Sequence, residues 1–144
     1  MSKDIFTTDQ KQQIVAAIKE AENNTSGEIR VHIEKKCNED VLDHAAFMFD
    51  ALNMQNTKQR NGVLIYLAYE DRQLAILGDA GINQKVPVDF WESTKDLMIS
   101  HFKQGNYAEG LSKGILLAGE QLKKHFPFQK DDKNELTDDI SFGK

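Results

Sequence analysis

The stretch Asn61 to Ile82, NGVLIYLAYEDRQLAILGDAGI, decides the fold. Val63 to Ala68 is the most apolar run in the chain. A run of this length between turn signals reads as a strand buried on both faces. Val63, Ile65 and Leu67 should be buried on one face, and Leu64 and Tyr66 on the other. Glu70-Asp71-Arg72 interrupts the run and Gln73 to Leu77 resumes it, the pattern of a β-hairpin without the Asn-Gly or Asp-Gly of the tightest turn. A hairpin brings the end of its second strand beside the start of its first. Gly78-Asp79-Ala80-Gly81 should therefore lie next to Arg60-Asn61-Gly62, placing a carboxylate, a carboxamide and flexible glycine backbone at one end of the sheet.

Upstream, Thr7 to Asn23 has helical spacing at Ile14, Ile18 and Ala21, and Thr7 with Gln10 forms a capping box. Glu28 to Glu34 alternates, with Ile29, Val31 and Ile33 facing one way. Glu28, Arg30, His32 and Glu34 face the other, as in a half-buried strand near a sheet edge. Asn38 caps a helix from Glu39 to Leu52. Strand, helix, strand with this crossover implies a parallel pair; the hairpin then returns antiparallel. Downstream, Gly81 to Pro87 reads as irregular. A helix follows from Pro87 to Lys103, and another, capped by Asn106 with Glu109, runs to His125. Gly110, Gly114 and Gly119 weaken that last helix by about 1 kcal/mol each relative to Ala; close approach of the helix to the sheet is the expected compensation. The reading is one α/β domain, residues 1–128: a mixed central sheet with helices on both faces, an α/β/α sandwich. Residues 129–144 read as a flexible charged tail whose deletion leaves the melting temperature nearly unchanged.

Composition bounds the function. The 144 residues suffice for one domain with a real core. A net charge of −5, with 18 scattered basic residues, argues against nucleic acid as a partner. No apolar run approaches the roughly 20 residues needed to span a bilayer, and the N-terminus has no signal-peptide core. Cys37 is the single cysteine, which excludes an internal disulfide and a cysteine metal cage. The expected protein is a cytoplasmic monomer without membrane insertion.

Glu28, Asn61 and Asp79 are the candidate metal ligands. Hard cations such as Ca²⁺ take carboxylate, carboxamide and backbone oxygens, often on glycine-rich loops. Two neighbouring carboxylates repel each other until a cation arrives. The plainer reading makes Asp79 and Asn61 turn residues bonding their own backbone, and Glu28 a solvated strand end. Other acidic pairs have structural explanations: Glu70-Asp71 as hairpin turn, Asp40 and Asp43 at a helix N-terminus. Asp131-Asp132 and Asp138-Asp139 lack EF-hand spacing. His32, His44, His101 and His125 show no paired ligand spacing and read as surface or helix-end residues. Cys37 has no histidine near it in sequence to make it a nucleophile.

Three segments carry a resemblance: Ser26-Gly27-Glu28-Ile29-Arg30-Val31, Asn61-Gly62-Val63-Leu64-Ile65, and Phe102-Lys103-Gln104-Gly105-Asn106-Tyr107 followed by Gly110-Leu111 and Gly114. Together, over Phe6 to Lys124, they resemble the TPM domain family, which includes photosystem II repair factors of the thylakoid lumen and many bacterial proteins. The resemblance implies a sheet between helices. It also implies divalent-metal binding, calcium especially with magnesium or zinc as alternatives, and for plant members a proposed acid phosphatase activity. This chain has Gly78-Asp79-Ala80-Gly81 where many members have a Gly-aromatic-Gly turn, so Asp79 as ligand rests on chemistry alone. Three functions stay open: a cation-binding interaction module assisting assembly or maintenance of protein complexes, a metal-assisted phosphomonoesterase, and a metal-free structural adaptor. No catalytic residue is identifiable.

Overall fold

The computed structural model describes residues 5–127 and 140–143. The elements in chain order are α1 (Thr8–Glu22), β1 (Glu28–Glu34), α2 (Val41–Ala51), β2 (Gly62–Ala68), β3 (Gln73–Gly78), α3 (Ala80–Asn83), α4 (Phe90–Phe102), α5 (Tyr107–His125) and β4 (Ser141–Phe142). They build one sheet of order β3-β2-β1-β4, with β2 and β4 parallel to β1 and β3 antiparallel to β2.

Strand β2 is buried along its whole length, as an apolar run with both faces covered must be. Val63, Ile65 and Leu67 join Ile29, Val31 and Ile33 in the main core, filled from α1, α4 and α5 by Ile14, Ile18, Met98, Leu111, Ile115 and Leu122. On the other face Tyr66, Ala68 and Ala75 form a smaller cluster with Ala45 of α2. The mixed sheet with helices on both faces is as expected.

Local chemistry sets several boundaries. Thr7 closes its capping box, its hydroxyl accepting from Gln10 N–H at 3.1 Å while Gln10 Oε1 accepts from Thr7 N–H at 2.9 Å. Helix α2 begins at Val41, capped by Asp40, whose Oδ1 accepts from Leu42 and Asp43 N–H; Asn38 is not the cap. Helix α4 begins at Phe90 and not at Pro87, and Asn106 makes no side-chain cap bond. The glycines of α5 face helices and not the sheet. A Cβ at Gly119 would meet Ala21 Cβ at 2.5 Å, and one at Gly114 would meet Met98 Sδ at 2.3 Å.

Strand β1 differs from its expected half-buried edge position. It lies between β2 and β4, and the polar-face residues Glu28 and His32 are only 2% and 3% exposed. β4 supplies the second neighbour, pairing with His32 and Ile33 at the far end of β1 from Glu28. Ile140 and Phe142, read as part of the tail, pack against the main core. The tail carboxylates Asp131, Asp132, Asp138 and Asp139, and Leu136, lie outside the described residues.

Candidate functional site

The expected convergence at one end of the sheet is present in the backbone. Glu28 sits opposite Gly62 across the parallel pair, and its N–H donates to Asn61 O at 3.3 Å. Asp79 N–H donates to Gly62 O at 2.9 Å, and Gly81 N–H to Arg60 O at 2.8 Å. Gly81 is required there: a Cβ would lie 2.0 Å from Gln59 O. Glu28, Asn61 and Asp79 thus all flank Gly62, and they are 2%, 1% and 7% exposed.

Their side chains are held unequally. Asn61 Nδ2 donates to Ser26 Oγ at 3.1 Å, and Asn61 N–H donates to Thr57 Oγ1. Asn61 Oδ1 is buried with no hydrogen-bond partner among the described residues, an arrangement that costs about 1–3 kcal/mol unless something fills it. Asp79 is engaged by a cation the sequence reading overlooked. Arg60 Nε donates to Oδ2 at 2.6 Å and its Nη2 donates to Oδ1 at 2.8 Å, the two-pronged geometry of guanidinium on carboxylate. That hydrogen-bonded carboxylate holds Arg60 above the ordinary guanidinium value. Asp79 Oδ1 also accepts Ala80 N–H at 2.8 Å, starting α3 where an irregular segment was expected. Arg60 therefore neutralises Asp79. Its side chain is 54% exposed, so it can leave without opening the core. A cleft of about 400 Å³ lies here, between Ala46, Phe49 and Asp50 of the α2 side and Arg60, Leu77 and Asp79.

Among the described residues no group of three or more His, Cys, Asp or Glu side chains is arranged to hold a metal ion. The set at this end of the sheet offers two carboxylates, with carboxamide and backbone oxygens as the remaining donors. An oxygen-only set of this kind suits a hard cation and not zinc, which prefers nitrogen and sulfur.

A second polar cluster sits at the other end of β1, and it includes two histidines read from sequence as surface or helix-end groups. His44 bridges two carboxylates, Nδ1 to Glu39 Oε2 at 2.6 Å and Nε2 to Glu34 Oε1 at 2.9 Å. The Tyr66 hydroxyl donates to the same Glu34 oxygen at 2.5 Å. His32 lies 3.2 Å from Glu34 Oε2, bonds Ser141 Oγ at 2.9 Å and stacks on Tyr66. Burial pushes His32 below the ordinary histidine value, against the pull of Glu34. For His44 burial is outweighed by Glu39 and Glu34, which lift it. Burial pushes Glu34 up, yet the Tyr66 hydroxyl and the histidines hold it below the usual carboxylate value. Burial and Glu34 push Tyr66 well above the phenol range. The alternation that placed His32 and Glu34 on one face was the available signal; reading that face as solvated hid it. Asp71 is used in the hairpin turn, accepting Cys37 N–H at 2.8 Å, and Cys37 is a half-buried free thiol that donates to Glu39 O.

No helix among the described residues is long and apolar enough to cross a membrane. No curated protein matches the chain. Among solved structures, the chain is similar to the BA42 protein of the psychrophilic bacterium Bizionia argentinensis, determined by NMR. The two are 51% identical, with a TM-score of 0.88 over 96% of this chain and 95% of that one. The N-terminal domain of a protein from P. gingivalis shares the fold at 23% identity, with a TM-score of 0.72 over 87% of this chain and 83% of that one. The N-terminal domain of the cg2496 protein of Corynebacterium glutamicum does so at 16% identity and a TM-score of 0.65, over 81% and 74%. The family model described as TPM domain matches residues 2–121. On that match, and on a sheet and helix order that agree with it, the chain belongs to the TPM domain family.

Proposed function

We propose that this protein is a divalent-cation-binding interaction module, with calcium the preferred ion and Asp79, Glu28 and Asn61 its side-chain ligands. The observation that carries the reading is Asn61 Oδ1, a buried acceptor without a hydrogen-bond partner among the described residues, at a sheet end whose backbone also brings the buried Glu28 and Asp79 to Gly62. Only two carboxylates contribute, so the affinity expected is that of weak extracellular-type calcium sites, about 10⁻⁴–10⁻³ M. Arg60 occupies Asp79 in the metal-free state and swings into solvent when a cation replaces it. The cleft beside the site runs to α2, which also exposes two large apolar side chains, Leu42 at 54% and Phe47 at 63%, as contacts for a protein partner.

A metal-assisted phosphomonoesterase is the second reading, and Arg60 favours it: released from Asp79, its guanidinium is free to hold phosphate oxygens in the same cleft. A bound cation would supply charge neutralisation and an activated water.

Calorimetric titration with Ca²⁺, Mg²⁺ and Zn²⁺ tests the first reading. Asp79→Asn should weaken binding at least about tenfold, equivalent to about 1.4 kcal/mol. Asp71→Asn, at the opposite end of the hairpin, should leave it unchanged. Wild-type affinity in Asp79→Asn rejects the site, and no binding in the unsubstituted protein leaves the metal-free adaptor. Hydrolysis of a generic phosphomonoester that requires the cation and falls in Arg60→Gln would favour the second reading.

A further inference from the structure

At the end of the hairpin opposite Asp79, the core face of the sheet opens into a cavity of about 440 Å³. Leu67 and Leu74, cross-strand partners and both buried, form its floor. Phe102 ends α4 and Tyr107 begins α5; their stacked rings, 5.0 Å between centroids, supply a wall. Arg72 from the hairpin turn and Lys103 after α4 complete the lining, and both are exposed.

The charge here is one-sided. None of the described residues lining the cavity is acidic, and neither Arg72 nor Lys103 pairs with a carboxylate among the described residues, in a chain of net charge −5. The carbonyls that end α4 are already bonded: Ile99 O accepts Lys103 N–H and Phe102 O accepts Gly105 N–H, each at 2.9 Å. The Lys103 ammonium is therefore not needed to satisfy them. Arg72 has φ 55°, a left-handed conformation that favours glycine or asparagine, yet the position carries a long cationic side chain. An apolar floor of this volume, bounded by two cations, matches a ligand of opposite build: an apolar body with an anionic head.

We propose that this cavity binds a small amphipathic carboxylate. The hydrocarbon or aromatic body lies on Leu67, Leu74, Phe102 and Tyr107. The head is taken by the planar fork of Arg72 and the point charge of Lys103. The site is separate from the cation cleft and does not depend on it.

The test is an amide-shift titration of the full chain with octanoate, with octan-1-ol as the body without the charge and acetate as the head without the body. Octanoate should produce saturable shifts at Leu74 and Tyr107, and both controls should bind at least about tenfold more weakly. The double variant Arg72→Gln/Lys103→Gln changes two exposed side chains. It should keep the native spectrum, lose about tenfold in octanoate affinity and leave octan-1-ol unchanged. Equal binding of octan-1-ol and octanoate, or undiminished octanoate affinity in the double variant, overturns the anionic head. Octanoate shifts that are absent, or scattered away from the cavity, overturn the site.

Discussion

Replacing Gly119 by Ala sets helix propensity against packing, and the structure decides which prevails. In an unencumbered helix the change stabilises by about 1 kcal/mol. Here the new Cβ would meet Ala21 Cβ at 2.5 Å, Ala21 Cα at 2.7 Å and Ala21 O at 3.0 Å. Two of these are backbone atoms of α1, so relief requires moving α1 away from α5, along the seam that carries Ile14, Ile18, Ile115 and Leu122. Overpacking of this kind costs about 1–3 kcal/mol, which offsets the propensity gain and at its upper end exceeds it. The net expectation is a loss of up to about 2 kcal/mol, or a melting temperature lower by up to about 8 °C in a domain of this size. Gly114→Ala is the control. The three atoms nearest its new Cβ, Sδ, Cε and Cγ, all belong to the Met98 side chain, which can change rotamer; the loss should be smaller. Urea unfolding with an unchanged m-value is the assay. Stabilisation of Gly119→Ala by about 1 kcal/mol, the free-helix result, would refute the close approach of α1 and α5.

Two further outcomes are expected. Side-chain NMR should find His44 titrating above the ordinary 6.5 and His32 below it; the reverse order would contradict the cluster at Glu34. Because the His44 value is raised by folding, its stabilising contribution is complete below the unfolded-state value and is lost as pH rises through the higher folded-state value. Glu34 and His32 are lowered, so their contributions are present above the unfolded-state values and are lost as pH falls through the folded-state ones. Removing residues 140–144 deletes β4, the Ser141 partner of His32 and two half-buried apolar side chains, and should lower the melting temperature by several degrees, on the order of 5 °C. An unchanged melting temperature would show that β4 contributes nothing to the core.

The parts of the fold legible in the sequence were those written in local patterns. The unbroken run from Val63 to Ala68, the interruption at Glu70 to Arg72 and the crossover between two strands sufficed for a mixed sheet, and the hairpin geometry then placed Asp79 beside Asn61. What escaped depended on partners far along the chain. β4 is two residues long, too short for any periodicity to register, yet it turns β1 from an edge into an interior strand and buries His32. The glycines of α5 announced a close neighbour but not which one; Ala21 and Met98 are identified only by packing. Arg60 stands next to Asn61 in sequence, yet it combines a fork onto Asp79 with left-handed backbone, φ 53°, which no composition rule anticipates at an arginine.

The claim that the end of the sheet around Gly62 is a cation site is tested most directly by titrating Ca²⁺ into isotope-labelled, metal-stripped protein and following the amide signals. Saturable shifts are expected at Glu28, Asn61, Gly62 and the segment Gly78 to Gly81 and nowhere else, together with a shift of the Asn61 side-chain amide as its unpartnered oxygen gains a ligand. Shifts that are linear and scattered over surface carboxylates, or that gather at Glu34, Glu39 and Asp71 at the opposite end, would contradict it.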